Sequence, residues 1–187
     1  MTKMSRLNEL LQQAGNIGRN EDGSITRLGF SEKYFQALEF LKGRMQELGM
    51  QVETDPVGNL HGVLQGSDPE AKSIVIDSHM DTVMQGGVYD GMLDVTGAKY
   101  STPCDPRLIK LIDDVCTEKG ISHIIMPSGA GHDANSMAHE GVPIGMIFVP
   151  SVKGVSHQGD EYTKPEHIDL RADVLYQTVL KLDENGF

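Results

Sequence analysis

Apolar residues recur at spacings of three and four along four stretches of the chain, and this periodicity predicts four helices. Their expected limits are Ser5–Ala14, Ser31–Gly49, Asp105–Gly120 and a last helix from about Asp169 into a frayed tail at 183–187. Ser31 and Asp105 are suitable N-caps, Pro106 suits the first helical turn, and glycines end the second and third helices. We expect the second helix to cover one face of a sheet.

Short extended patterns between the helices predict five strands. Gln51–Asp55 and Leu60–Leu64 are predicted to be two strands joined by a turn. The apolar runs Ile74–Ile76 and Ile144–Val149 are typical of buried strands, and Ile121–Met126 is predicted to be another short strand. We therefore expect an α/β domain in which polar residues that follow the central strands lie at a ligand-binding edge.

Composition narrows the class of protein. A length of 187 residues suits one domain, and two cysteines imply no disulfide framework. The formal charge of −11, from 27 acidic and 16 basic residues, argues against binding to nucleic acid or an anionic membrane. No apolar run approaches the ~20 residues of a membrane helix, and no signal-peptide core is evident. We expect a cytoplasmic protein.

The polar residues after Ile74–Ile76 include a histidine and a carboxylate. Asp81 would accept one ring N–H of His79 and leave the other nitrogen for a metal, although a hydrogen-bonded loop histidine is the simpler interpretation. Asp90 lies between glycines, which would let its carboxylate turn back toward His79. An ordinary Asp-Gly turn explains the same pattern.

A second candidate site is the glycine-rich turn Pro127–Ala134. Such a turn exposes backbone N–H groups, so Gly129, Gly131 and His132 are candidate contacts for an anionic group of a small-molecule substrate. Helix capping by His132 and Asp133 is an equal alternative. The P-loop lysine is missing, which argues against nucleotide binding. Four other residues look like surface or helix-end positions: His61, His123, His139 and Glu140.

Four motifs, in order along the chain, resemble those of the dinuclear zinc amidohydrolase and exopeptidase family. They are Ser78-His-Met-Asp81, Gly87-Val-Tyr-Asp-Gly91, Ser128-Gly-Ala-Gly-His-Asp-Ala134 and Val155-Ser-His157. The third motif is similar to that of the branch containing allantoate amidohydrolase and the N-carbamoyl-L-amino-acid hydrolases. The resemblance implies a three-layer α/β sandwich that hydrolyses linear amide or ureido C–N bonds in small amino-acid-like substrates.

The same resemblance assigns roles to individual residues. His79 would bind the first of two Zn²⁺ or Mn²⁺ ions, Asp90 would bridge both, and His157 would bind the second. Asp81 would support His79. Glu161 occupies a place where the family often has an acidic residue, and its role is open.

The chain also departs from the family pattern. Family members carry a Glu-Glu pair, which supplies a general base and a metal ligand, then a histidine ligand and an inserted lid domain used for dimerisation. No Glu-Glu pair occurs here, and the halves 1–95 and 100–187 join as if an internal segment near 95–100 were deleted. We expect a single truncated catalytic domain without the lid, with exposed sheet or core surface that favours self-association.

Two hypotheses follow for the function. The chain is either a hydrolase of the family type or a catalytically inactive metal-binding or interaction protein on the same scaffold. Loss of a general base alone costs about 10²–10⁴ in rate, which favours the second hypothesis for the isolated chain. The sequence is equally compatible with a natural and an engineered deletion.

Overall fold

The computed structural model describes residues 5–86 and 102–186, so Asp90 lies outside the described residues. The described chain forms two compact units, residues 5–86 with Val155–Tyr162 and residues 102–154 with 163–186. Its helices and strands are α1 (Arg6–Asn16), α2 (Glu32–Glu47), β1 (Gln51–Thr54), β2 (Leu60–Val63), α3 (Pro106–Glu118), α4 (Ala134–His139) and α5 (Pro165–Asn185). This mixture of helices and sheet is consistent with an α/β fold.

Each helix of the first unit begins directly after a capping serine, and Ser31 was predicted as such a cap. The Ser5 hydroxyl accepts a hydrogen bond from the backbone N–H of Asn8, and the Ser31 hydroxyl accepts one from the N–H of Tyr34. Gly49 follows the end of α2 with a φ of 78°, a conformation that glycine adopts without strain. The predicted limits of α2 are therefore confirmed.

The two strands of the first unit form the predicted antiparallel hairpin, with Gln51 opposite Val63 and Thr54 opposite Leu60. The helix α2 packs on this hairpin at Gly62. A Cβ at position 62 would lie 2.8 Å from the Met45 sulfur, so a larger residue there would push this flexible side chain aside. The covering of a sheet face by α2 is confirmed, but the sheet is this hairpin.

The turn between β1 and β2 is organised by one carboxylate. Asp55 accepts hydrogen bonds from the backbone N–H groups of Val57 and Asn59. Desolvation would raise the pKa of Asp55, but hydrogen bonds from Asn59, His61 and Val57 prevail and lower it to about 2. His61 lies exposed on β2, as predicted.

The second unit has its core between α3 and α5. Val115 and Cys116 of α3 and Val174 of α5 are buried together. Two ion pairs join the same helices, Lys119 to Asp173 at 2.8 Å and Lys181 to Glu118 at 2.7 Å. No helix in the described part of the chain is long and apolar enough to cross a membrane.

The limits of α3 were predicted correctly, whereas those of α5 were wrong at both ends. Asp105 caps α3 by accepting the backbone N–H of Arg107, as expected. Helix α5 begins at Pro165, four residues before the predicted start, because proline suits the first helical turn. The tail predicted to fray is helical to Asn185, where the backbone hydrogen bond from Gly186 to Leu182 is still made.

Three predicted strands are wrong: no strand forms at Ile74–Ile76, Ile121–Met126 or Ile144–Val149. Val75 is 72% exposed and Ile124 is 78% exposed. Residues 73–78 and 122–127 make no backbone hydrogen bond to other described residues. A parallel strand takes its hydrogen bonds from segments distant in sequence, so an apolar run does not suffice to form one.

The third of these runs differs because it packs against helices. Ile144 is buried, and its carbonyl accepts a hydrogen bond from the backbone N–H of Asp105. The Ile147 carbonyl accepts one from the Arg171 side chain. The segment therefore has helix contacts in place of the predicted strand neighbours.

Candidate functional site

The structure brings His79 and Asp81 together. The Nδ1 atom of His79 lies 3.1 Å from Oδ1 of Asp81, and the two side chains are 27% and 21% exposed. A carboxylate at Nδ1 favours the tautomer with the proton on that nitrogen. This arrangement leaves Nε2 of His79 as the ring nitrogen with an available lone pair.

The segment that carries this pair is held by backbone contacts with residues 25–27. Ile25 and Gly86 exchange two hydrogen bonds, of 2.8 and 2.9 Å. The Thr82 N–H donates to the Arg27 carbonyl at 2.9 Å, and the Arg27 N–H donates to the Thr82 hydroxyl at the same distance. Thr82 is fully buried, so these bonds are shielded from water.

Arg27 is a buried cation beside the pair, with 6% of its surface exposed. Burial lowers the pKa of Arg27, and the negative charge of Asp81 opposes that shift. Burial, followed by the charge of Asp81, raises the pKa of Tyr34. A Cβ at Gly29 would lie 3.8 Å from Oδ2 of Asp81, in ordinary contact.

His157 lies in the same unit, beside an open polar cleft of about 350 Å³. Its backbone N–H donates to a carboxylate oxygen of Glu161 at 2.8 Å. His157 and Gln85 have φ values of 57° and 58°, which are unusual for residues with a Cβ and are found at functional sites. The cleft is lined by Asp22, Ser24, Met84, Gln85, His157, Gln158 and Gly159.

The imidazole of His79 and the nearby carboxylate are donor types that zinc and manganese bind. Neutral imidazole nitrogen and carboxylate oxygen are ligands for both, and a carboxylate behind the ligating histidine is a common second contact. Within residues 5–86 and 102–186, no three His, Cys, Asp or Glu side chains come together as a metal-binding group. Asp90, the predicted bridging ligand, is outside those ranges.

The glycine-rich turn belongs to the second unit. Nε2 of His132 lies 2.7 Å from the Ser128 hydroxyl oxygen, which also accepts the backbone N–H of Ala130. The His132 ring packs on Phe148 with centroids 5.6 Å apart. Gly129 and Gly131 are exposed, and a Cβ at Gly129 would meet nothing within 4 Å. Asp133 makes no side-chain capping bond to α4.

His123 and His139 take surface positions. The His123 ring donates from Nε2 to the Asp113 carboxylate at 2.7 Å and from Nδ1 to the Ile121 carbonyl at 2.8 Å, since both of these oxygens only accept. His139 and Glu140 are exposed at the end of α4. These three residues therefore add no candidate ligand to the sites above.

Sequence reasoning missed Arg27 and Thr82. Arg27 stands in a polar stretch without periodicity, and its contacts with Met80 and Thr82 join residues more than 50 positions apart. Thr82 directly follows Asp81, and this position next to a candidate site residue is the feature of the sequence that could have indicated its role. A buried arginine is identified only once the fold places carbonyl groups around it.

The sequence is similar to that of a known protein family. Residues 62–181, more than half of the chain, match the model of peptidase family M20/M25/M40. The chain is 36% identical over 95 residues to an N-carbamoyl-L-amino acid amidohydrolase of Geobacillus stearothermophilus, covering 51% of this chain and 23% of that protein.

Two further relatives have related names. An allantoate amidohydrolase of Bacillus subtilis (strain 168) is 34% identical over 92 residues, which are 49% of this chain and 22% of the relative. A ureidoglycolate hydrolase of Oryza sativa subsp. japonica is 39% identical over 75 residues, or 40% of this chain and 16% of the relative. The matched part of the chain thus spans less than a quarter of the length of these relatives.

Proposed function

Because the chain belongs to peptidase family M20/M25/M40, we propose that it is a metal-dependent hydrolase of linear amide or ureido C–N bonds. The relatives named as N-carbamoyl-L-amino acid and allantoate amidohydrolases support a small amino-acid-like substrate. The observation that carries the proposal is the His79–Asp81 pair at 3.1 Å, within the matched residues. A three-layer sandwich without a lid domain is part of the same proposal.

The proposed metal ligands are His79, Asp90 and His157. Asp81 holds the proton of His79 at Nδ1 and so directs Nε2 toward the cation. Zn²⁺ or Mn²⁺ bound there would polarise the scissile carbonyl and make water nucleophilic near neutral pH. Arg27 and Thr82 keep the segment after His79 in place through buried hydrogen bonds.

In the second unit, Gly129, Gly131 and His132 are proposed to bind an anionic group of the substrate. The exposed backbone of the two glycines offers N–H donors, and Ser128 and Phe148 fix the His132 ring. A Cβ at Gly129 would meet no atom within 4 Å, so packing does not explain the glycine and a substrate could approach its backbone.

A direct assay tests the proposal. The purified chain would be loaded with zinc, manganese or cobalt and incubated with allantoate, N-carbamoyl amino acids and dipeptides. We expect slow turnover that His79→Ala abolishes. Turnover no greater than that of His79→Ala, with every metal and substrate, would contradict a hydrolase.

The second candidate function is a catalytically inactive metal-binding or interaction protein. The missing Glu-Glu pair favours it, as do the exposed apolar segments Ile74–Ile76 and Ile124–Met126. Metal content separates the candidates, since two ions per chain support hydrolysis and one or none supports the second function. Hydrolysis by this chain that Asp90→Ala abolishes would refute the second function.

A further inference from the structure

Arg27 connects the end of α1 to the segment that carries the proposed metal ligand. Its Nη1 atom donates to the carbonyls of Ala14 at 3.1 Å and Ile17 at 2.9 Å. The carboxyl end of a helix attracts a cation, because its last carbonyls have no partner within the helix. The helix end therefore fixes one edge of the guanidinium.

The Nε atom of Arg27 donates to the carbonyl of Met80, the residue between His79 and Asp81. The guanidinium is planar and presents its N–H groups at fixed angles, so anchoring one edge also fixes the direction of Nε. The position of the Met80 carbonyl thus depends on the end of α1.

The main chain of Arg27 holds the same segment from the other side of Asp81. Its N–H and carbonyl pair with the hydroxyl and N–H of Thr82, each at 2.9 Å. Arg27 therefore binds the residues before and after Asp81, and its positive charge attracts the Asp81 carboxylate. Removing the side chain would release Met80 while the Thr82 contacts remained.

We propose that Arg27 is a positioning residue that holds Asp81 against Nδ1 of His79 and thereby orients Nε2 toward the cation. This inference rests on the proposed function of His79 as a metal ligand. It adds a residue 52 positions upstream of His79, outside the motifs that carry the family resemblance. The role is electrostatic and geometric, and Arg27 itself does not touch the metal.

Arg27→Met tests the proposal, because methionine fills similar space without donors or charge. Arg19→Met is the matched control: Arg19 is exposed and lies in the same unit, and among the described residues its side chain bonds to Asn16 and Gly23. Two measurements are made, zinc affinity by indicator competition and the His79 tautomer by long-range ¹H–¹⁵N NMR of the metal-free protein.

We expect Arg27→Met to lose about ten- to a hundredfold in zinc affinity, as is typical for groups behind a metal ligand. We also expect the His79 ring to change from the Nδ1–H tautomer to a mixture. Arg27→Lys should recover part of both, since its ammonium keeps the charge but reaches fewer carbonyls. Arg19→Met should resemble the parent.

Unchanged zinc affinity and tautomer in folded Arg27→Met would overturn the positioning role. If Arg27→Met unfolds, zinc affinity and the His79 tautomer are measured in Arg27→Lys instead. Values equal to those of the parent would again overturn the proposal. Failure of the parent chain to bind zinc would instead contradict the proposed function. The tautomer in the metal-free protein would still test Arg27 in that case, so the two failures are distinguishable.

Discussion

Replacing Asp81 by asparagine removes the charge behind His79 and keeps the shape of the side chain. The Asp81–His79 contact is 3.1 Å long, and hydrogen bonds to charged groups contribute about 1.5–3 kcal/mol. The His79 and Asp81 side chains are 27% and 21% exposed to water, which weakens the contact. The lower value of this range, about 1.5 kcal/mol, therefore applies. This corresponds to about a tenfold loss of zinc affinity.

Asp77→Asn provides the control for Asp81→Asn. Asp77 is exposed and lies four residues before Asp81, so its replacement changes the net charge equally without touching His79. Zinc affinity would be measured by competition with a chromophoric indicator, together with thermal melts. Asp81→Asn should also lower the melting temperature, because the buried Arg27 loses a neighbouring negative charge.

The reasoning about Asp81 would be refuted by one combination of results. If Asp81→Asn binds zinc within twofold of the parent while His79→Ala loses binding, the carboxylate does not prepare the imidazole. If Asp77→Asn weakens binding as much as Asp81→Asn, the effect is general electrostatic attraction and not a specific contact.

Three other predictions concern stability, association and the glycine-rich turn. The Asp113 carboxylate and the Ile121 carbonyl raise the pKa of His123. The protonated His123 therefore stabilises the fold fully below the pKa of the unfolded chain, 6.5, and this stabilisation is lost as the pH rises through the higher pKa of the folded chain. Melting temperatures between about pH 5.5 and 8.5 should fall more steeply for the parent than for His123→Gln, and parallel curves would contradict this. Ile125 is 67% exposed in an unpaired apolar segment, so size-exclusion chromatography should show self-association that Ile125→Lys reduces; a monomer with a sharp melt would contradict it. Gly129→Ala should melt like the parent, since its Cβ meets no atom within 4 Å, but should weaken substrate binding if the backbone there contacts substrate. An unchanged KM would exclude that contact.

The elements predicted well from the sequence are those whose cause is local. Ser31 and Asp105 cap their helices with their own side chains, and Gly49 ends α2 through its positive φ. The hairpin was also predictable, because Asp55 organises a turn within five residues. In each case the stabilising contacts come from neighbours in the sequence.

The elements predicted wrongly depend on distant partners. Ile74–Ile76 and Ile121–Met126 were predicted to be strands from their composition, but the described chain gives them no strand to pair with. Composition determines what a segment prefers, and pairing decides whether a strand forms. The missing internal segment that the family resemblance implies stays a prediction.

The residues of the candidate site also differ in whether their contacts are local or distant in the sequence. His79 and Asp81 are two residues apart, so their contact was predictable from spacing alone. Arg27 was not predictable, because its importance comes from carbonyls at Ala14, Ile17 and Met80 that only the folded chain brings together. The roles of Asp90 and His157 stay predictions from the motifs.

Metal stoichiometry tests the central claim most directly. The parent chain, His79→Ala and His157→Ala would be dialysed against excess zinc, and the bound metal measured by elemental analysis. The proposed hydrolase site predicts about two zinc ions per parent chain and fewer in each variant. A parent chain that binds one zinc ion or none, or variants that bind as much as the parent, would contradict the account.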